Sequence, residues 1–258
     1  MPTTPTVLLV GGLDPGGQAG LAADLEVCAL QGVLGRPVVT ARTAQTDRKW
    51  LGAWPTALAE LETTLAAALA DGRPRACKTG MLGSLATARL VARAVAGHPM
   101  PLVVDPLLST TSGGWLWGDE PHADVRAMFL HELLPACAVV TPNWPELAWL
   151  AEAPLATDLG EAEAQARRLP CPVLLKGGHA PERWLGQDFL FADGQFHPLS
   201  NKIGWPPLAD GAPRNLRGTG CRLATAVAVG LAKGMTLPSA AEQASEWLDQ
   251  WALAKILP

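Results

Sequence analysis

Short β-branched runs alternate with longer amphipathic stretches along most of this 258-residue chain, and few folds accommodate that rhythm. Strands are expected at 6–10, 36–41, 75–79, 102–105, 138–141 and 173–176. Helices are expected between them, at 20–31, 54–70, 85–96, 123–133, 145–150 and 159–168. Such alternation builds a mostly parallel central sheet with helices on both faces. The rhythm then changes. Residues 189–192 and 195–198 flank Asp193-Gly194, a hairpin signal. A stretch rich in Pro and Gly runs from 199 to 218, and two helices follow, at 220–233 and 238–256. There is no internal repeat and no long linker, so one α/β domain over 1–258 is expected.

Composition narrows the functional classes. With 17% charged residues and 48% hydrophobic ones, the chain is suited to a large core. A net charge of -4 gives no basic face for nucleic acid. No apolar run approaches the roughly 18 residues of a membrane helix, and the first ten residues lack the basic run of a signal peptide. A cytoplasmic protein acting on a small molecule, without nucleic acid or membrane as partner, is the expectation. The five cysteines (28, 77, 137, 171 and 221) are odd in number and scattered, so buried thiols are expected rather than a disulfide framework.

In an open parallel sheet, ligands bind at the carboxyl ends of the strands. The first strand is followed by GGLDPGGQAG at 11–20, where glycines let backbone approach a ligand and turn into a helix. It has neither the dinucleotide spacing nor a Walker lysine. Asp24 lies one turn into that helix. Gly218-Thr219-Gly220-Cys221 opens the penultimate helix, where successive N–H groups form an anion site and the helix dipole would favour a thiolate at Cys221. Asp105 ends one strand, Asn143 and Glu146 follow the next, and Lys176-Gly177-Gly178 follows a third. Singly, each is equally well a turn, a capping box or a surface lysine. Together they put an acid, an Asn/Glu pair, a lysine and an anion hole along one sheet edge, which suits phosphoryl transfer.

Read in order, 11–24, 40–45 (TARTAQ), 78–82 (KTGML), 103–113, 133–146, 173–179 and 218–221 resemble the phosphomethylpyrimidine kinases of the ribokinase-like superfamily. That resemblance implies a three-layer ribokinase-like fold. It also implies ATP-dependent phosphorylation of hydroxymethylpyrimidine and then of its monophosphate, with Mg2+, by a protein whose relatives form homodimers. It implies that Gly12, Asp24, Gln45 and Met81 line the acceptor pocket. Gly218, Thr219 and Gly220 would hold phosphate, and Cys221 would take the hydroxyl proton. Lys176, Asn143 and Thr219 would meet the nucleotide, and Asp105, Asn143 and Glu146 the metal. Arg217, Arg222 and Arg42 depart from the family pattern, which commonly has His, Thr or Ser, and an aliphatic residue at those positions. A pyridoxal-type kinase and a non-catalytic pyrimidine-binding protein are the alternatives.

Overall fold

A computed structural model describes residues 4–45, 50–70, 74–109, 114–200 and 216–256. Among them, nine strands form one sheet in the order β3-β2-β1-β4-β5-β6-β7-β8-β9. The parallel centre consists of β1 (Thr6–Leu13), β2 (Leu34–Gln45), β4 (Ala76–Thr79), β5 (Leu102–Val104), β6 (Val139–Val140) and β7 (Val173–Leu175). Antiparallel strands close both edges: β3 (Trp50–Pro55) on one side, the hairpin of β8 (Phe189–Ala192) and β9 (Gln195–Pro198) on the other.

β5, β6, β7 and the Val7–Val10 run of β1 read as unbroken apolar runs because both of their faces are covered. In β1, Leu8 and Val10 pack into one core while Val7 and Leu9 pack into the other. The first core is roofed by α2 (Leu58–Ala70), α3 (Leu85–Ala96), α4 (His122–Met128), α5 (Trp144–Leu150) and α6 (Leu159–Ala166). The second lies under α1 (Gly20–Leu30), α7 (Thr219–Ala232) and α8 (Leu237–Ile256).

Two expected helices are corrected. The one expected at 54–70 starts only at Leu58, because Trp54 and Pro55 finish β3, paired antiparallel to Arg42 and Ala41. Strand-favouring aromatic residues and a proline at the strand end decide that boundary. The one expected at 123–133 stays α-helical only to Met128 and finishes as a π-helical turn, Phe129–Leu133. Alternation along β2 buries Thr43, whose hydroxyl donates to the Leu13 carbonyl (3.1 Å), and leaves Arg42 exposed. The described cysteines are all free thiols, and four of the five are buried. Most of the stretch rich in Pro and Gly at 199–218, and part of the loop after Asp105, lie outside the described residues. No helix among the described residues is long and apolar enough to cross a membrane.

Candidate active site

The sheet's carboxyl edge gathers two groups of side chains. One forms where β1, β2 and β4 end. The Thr40 hydroxyl donates to the Met81 carbonyl (2.6 Å), fixing the turn after β4. A side chain at Gly12 would stand 3.0 Å from the Met81 sulfur, so glycine there leaves the thioether in contact with bare backbone. Gln45, at the end of β2, accepts a hydrogen bond from Arg217 Nη2 (2.6 Å) through Oε1. In the sequence Arg217 stands out as a departure from the family pattern near the phosphates and the pocket; the fold brings it across 172 positions to Gln45.

The second group forms around the start of α7. Gly218 takes the left-handed conformation (φ 74°), and a side chain there would collide with the Gln18 carbonyl of the β1–α1 loop. The two glycine-bearing loops are therefore in direct contact. A side chain at Gly220 would meet Lys176 Nζ at 3.2 Å, so the lysine ammonium lies directly over the turn. Lys176 Nζ also donates to Asp105 Oδ1 (2.8 Å) and stands 3.6 Å from Glu146 Oε2. Asp105 Oδ2 is buried and has no hydrogen-bond partner among the described residues. Burial alone would lower the Lys176 pKa; the carboxylates of Asp105 and Glu146 outweigh it and hold the ammonium above its ordinary range. Burial would likewise raise Asp105, but Lys176 and Lys78 keep its carboxyl below the usual carboxylate range. Glu146 goes the other way: desolvation and repulsion from Asp105 prevail over Lys176 and raise it.

Asn143 and Glu146 form a capping box at the start of α5. Asn143 Oδ1 accepts from the Glu146 N–H, and Glu146 Oε2 accepts from the Asn143 N–H, both at 2.8 Å. The Asn143 carbonyl oxygen is thereby committed to the backbone, and the box aims the Glu146 carboxylate at Lys176. Among the described residues, no three His, Cys, Asp or Glu side chains cluster as a closed metal site.

Beneath the edge, Asp24 and Lys78 form an ion pair in which each partner is 1% exposed. Lys78 Nζ donates to both carboxylate oxygens (3.0 and 2.9 Å), and the Thr225 hydroxyl donates to Oδ1 (2.7 Å). Asp24 is thus turned into the protein, engaged by β4 and α7 rather than by an open pocket. Burial opposes charge on Lys78, yet Asp24, Cys221 and Asp105 raise its pKa.

The expected thiolate at Cys221 is not what the environment favours. Burial pushes this thiol up to about 11; Lys78 opposes the rise, while the carboxylates of Asp105 and Asp24 add to it. A helix N-terminus contributes up to about 2 kcal/mol, whereas full burial moves a pKa by as much as 3 to 5 units, roughly 4 to 7 kcal/mol. Desolvation wins.

Arg222 follows in the same turn of α7; its guanidinium reaches toward α1 and α8, and its Nη1 packs against the back of the glycine turn, 2.7 Å from where a side chain at Gly218 would stand. It is 4% exposed and bonded to Glu26, Gln18 and Arg217.

A doubly covered parallel sheet, with a glycine turn opening a helix under a lysine and a carboxylate pair at the same strand ends, is the ribokinase-like fold with an arrangement that suits a small-molecule kinase. The comparisons with known proteins agree. The chain belongs to the phosphomethylpyrimidine kinase family, whose profile matches residues 14–256 and whose members are ATP-dependent kinases. It is 37% identical to the hydroxymethylpyrimidine/phosphomethylpyrimidine kinase of Streptomyces coelicolor, over 95% of this chain and 88% of that one. It is 35% identical to the protein of the same description from Rhizobium meliloti, over 95% and 89%. Among solved structures it resembles pyridoxal kinase from Staphylococcus aureus in complex with AMP-PCP and pyridoxal (TM-score 0.80, 25% identity, 96% and 87% covered).

Proposed function

We propose that this protein transfers the γ-phosphoryl group of ATP to the hydroxymethyl group of hydroxymethylpyrimidine, and then to the monophosphate, in thiamine biosynthesis. One observation carries the reading: Lys176 Nζ lies over the Gly218–Gly220 turn and 2.8 Å from Asp105, at the same sheet edge as Gly12, Met81 and Gln45. The backbone N–H groups of that turn, Thr219 included, and the Lys176 ammonium meet the charge on the transferred phosphoryl oxygens. Met81 offers a flat apolar contact to a heteroaromatic ring, and Gln45 a hydrogen bond at its rim. Asp24 holds Lys78 beneath the pocket instead of touching the ring.

The residues present fit magnesium. Asp105 Oδ2 is a buried oxygen without a partner among the described residues, and Glu146 is adjacent through Lys176. Magnesium characteristically takes one or two carboxylates and completes its shell with phosphates and water. Asp105 and Glu146 would hold it, with Asn143 orienting Glu146. When bound, it supplies neutralisation of the phosphate oxygens.

Cys221 touches the acceptor hydroxyl as a neutral thiol. With its pKa near 11, it positions the hydroxyl; the O–P bond forms as the bond from the γ-phosphorus to ADP breaks, and the hydroxyl proton passes late to an oxygen of the transferred phosphoryl group in a loose transition state. The same reading takes residues 1–258 as one kinase domain and the protein as a cytoplasmic homodimer.

The test is ADP release with hydroxymethylpyrimidine, its phosphate, pyridoxal or no acceptor, each with and without magnesium. Magnesium-dependent release with the two pyrimidines is expected. The likeness to a pyridoxal complex makes pyridoxal the second reading, and faster release with pyridoxal would replace the first. Full activity in excess chelator would remove the metal from the account.

A further inference from the structure

Arg222 makes more directed contacts than a helix surface requires. Its Nε and Nη2 grip Glu26 Oε2 (3.1 and 2.6 Å), and its guanidinium lies over the Trp251 ring, 4.2 Å from the centroid. Nη1 is then left to donate to two carbonyls: Gln18 (2.9 Å) in the β1–α1 loop and Arg217 (3.2 Å) just before the anion turn. Glu26 is shared between Arg222 and, at 3.7 Å, Lys255; what the guanidinium gives the two loops is a fixed set of hydrogen bonds. A lysine could not reproduce it, because a single ammonium lacks the planar fork that reaches a carboxylate on one side and two carbonyls on the other.

The consequence extends to Gln45. Fixing the Arg217 backbone fixes the root of the side chain that meets Gln45. A guanidinium only donates, so the Gln45 atom it meets is the carbonyl oxygen, as the 2.6 Å contact has it. The Gln45 amide is thereby oriented, and its NH2 becomes the group offered to a ligand.

We propose that Arg222 is a positioning residue that clamps the β1–α1 loop to the turn opening α7 and, through Arg217, orients Gln45 to donate to a lone pair on the acceptor ring, such as a ring nitrogen. This deepens the kinase reading above and rests on it for the identity of the acceptor. The clamp itself does not.

Two measurements separate the two. Amide exchange is followed for peptides spanning 16–20 and 216–220 in the wild type and Arg222→Ala. Steady-state kinetics with hydroxymethylpyrimidine are measured for the wild type, Arg222→Ala, Arg222→Lys and Arg217→Ala. Arg222→Ala is expected to exchange faster in both peptides. It should also lose about 10- to 100-fold in kcat/KM for the pyrimidine, the scale of a small misplacement of reacting groups. Millimolar guanidinium should restore part of that loss in Arg222→Ala, and methylammonium should not; Arg222→Lys should behave like Arg222→Ala. Arg217→Ala keeps the clamp and should raise the pyrimidine KM with an unaltered melting temperature. It decides the Gln45 step even if Arg222→Ala does not fold. Unchanged exchange and kinetics in a folded Arg222→Ala, or an unchanged pyrimidine KM in Arg217→Ala, would overturn the proposal. A wild type that phosphorylates neither pyrimidine sinks the functional reading, while the exchange data still decide the clamp.

Discussion

Lys78, inside β4, and Lys176, just after β7, are both buried, both paired with aspartate, and both flank Asp105. They differ in where their remaining valences go. Lys78 is sealed: Asp24 takes it with both oxygens, and Thr225 ties that carboxylate to α7. Lys176 pairs with a single oxygen of Asp105, keeps Glu146 at 3.6 Å, and projects its ammonium over the Gly220 turn, where a ligand's charge would arrive. An ion pair with all its hydrogen bonds internal stabilises a fold; one that leaves an acceptor unpartnered, as Asp105 Oδ2 is, is poised to rearrange around a substrate.

That contrast can be broken in several places. The largest effect is expected from Lys78→Met, which strands a buried carboxylate and should cost about 3 to 5 kcal/mol of stability. For a chain of this size that is a melting point lower by roughly 10 °C. Adding Asp24→Leu should recover much of the loss, because the pair is replaced by apolar groups. A double variant no more stable than the single one would show that the pair is not the unit.

Next in size is a pH effect behind Lys176. Asp188 accepts from the N–H of Gly177, the residue after that lysine (2.8 Å), and from the Ser245 hydroxyl (2.9 Å). Burial raises its carboxyl from 3.8 to about 6, with Asp249 adding and Lys176 opposing. A raised carboxyl means that the folded state holds the proton more tightly than the unfolded one. The penalty for ionised Asp188 is therefore complete above about pH 6 and disappears as pH falls toward 3.8. It is worth up to about 3 kcal/mol. Asp188→Asn should accordingly gain most on the wild type near pH 8, and the gain should shrink steadily between pH 6 and 4 in thermal melts. A difference independent of pH would contradict this.

The smallest effect concerns Cys221→Ser. A thiol near 11 is almost wholly protonated at neutral pH, so turnover should fall by no more than about 10-fold, short of the 100- to 10,000-fold typical of losing a positioned general base. A larger loss in kcat, with nucleotide affinity intact, would reinstate the thiolate.

The sequence made some of this contrast legible and concealed the rest. Strand ends carrying Asp105, Asn143 and Lys176 were readable because each polar residue interrupts an apolar run at a loop. The hairpin around Asp193-Gly194 was readable because alternation and turn chemistry agreed. The Lys78–Asp24 pair was not, since its members are 54 positions apart and the resemblance put Asp24 in the acceptor pocket. A signal did exist. A lysine within a short strand between two covered neighbours cannot reach water and must find a buried anion. Trp54 and Pro55 misled in the opposite way, adjoining a long helical pattern while belonging to an edge strand. At Cys221, the helix start was visible and the surrounding carboxylates were not.

The central claim is that chemistry resides on the Lys176 side of this contrast and support on the Lys78 side. It is tested most directly by ADP release with hydroxymethylpyrimidine, ATP and magnesium in Lys176→Met, at a temperature where its melt shows it folded. The account predicts a loss of about 100- to 1,000-fold, the scale of removing one preorganised electrostatic partner of the transition state. Turnover within a few-fold of the wild type would contradict it.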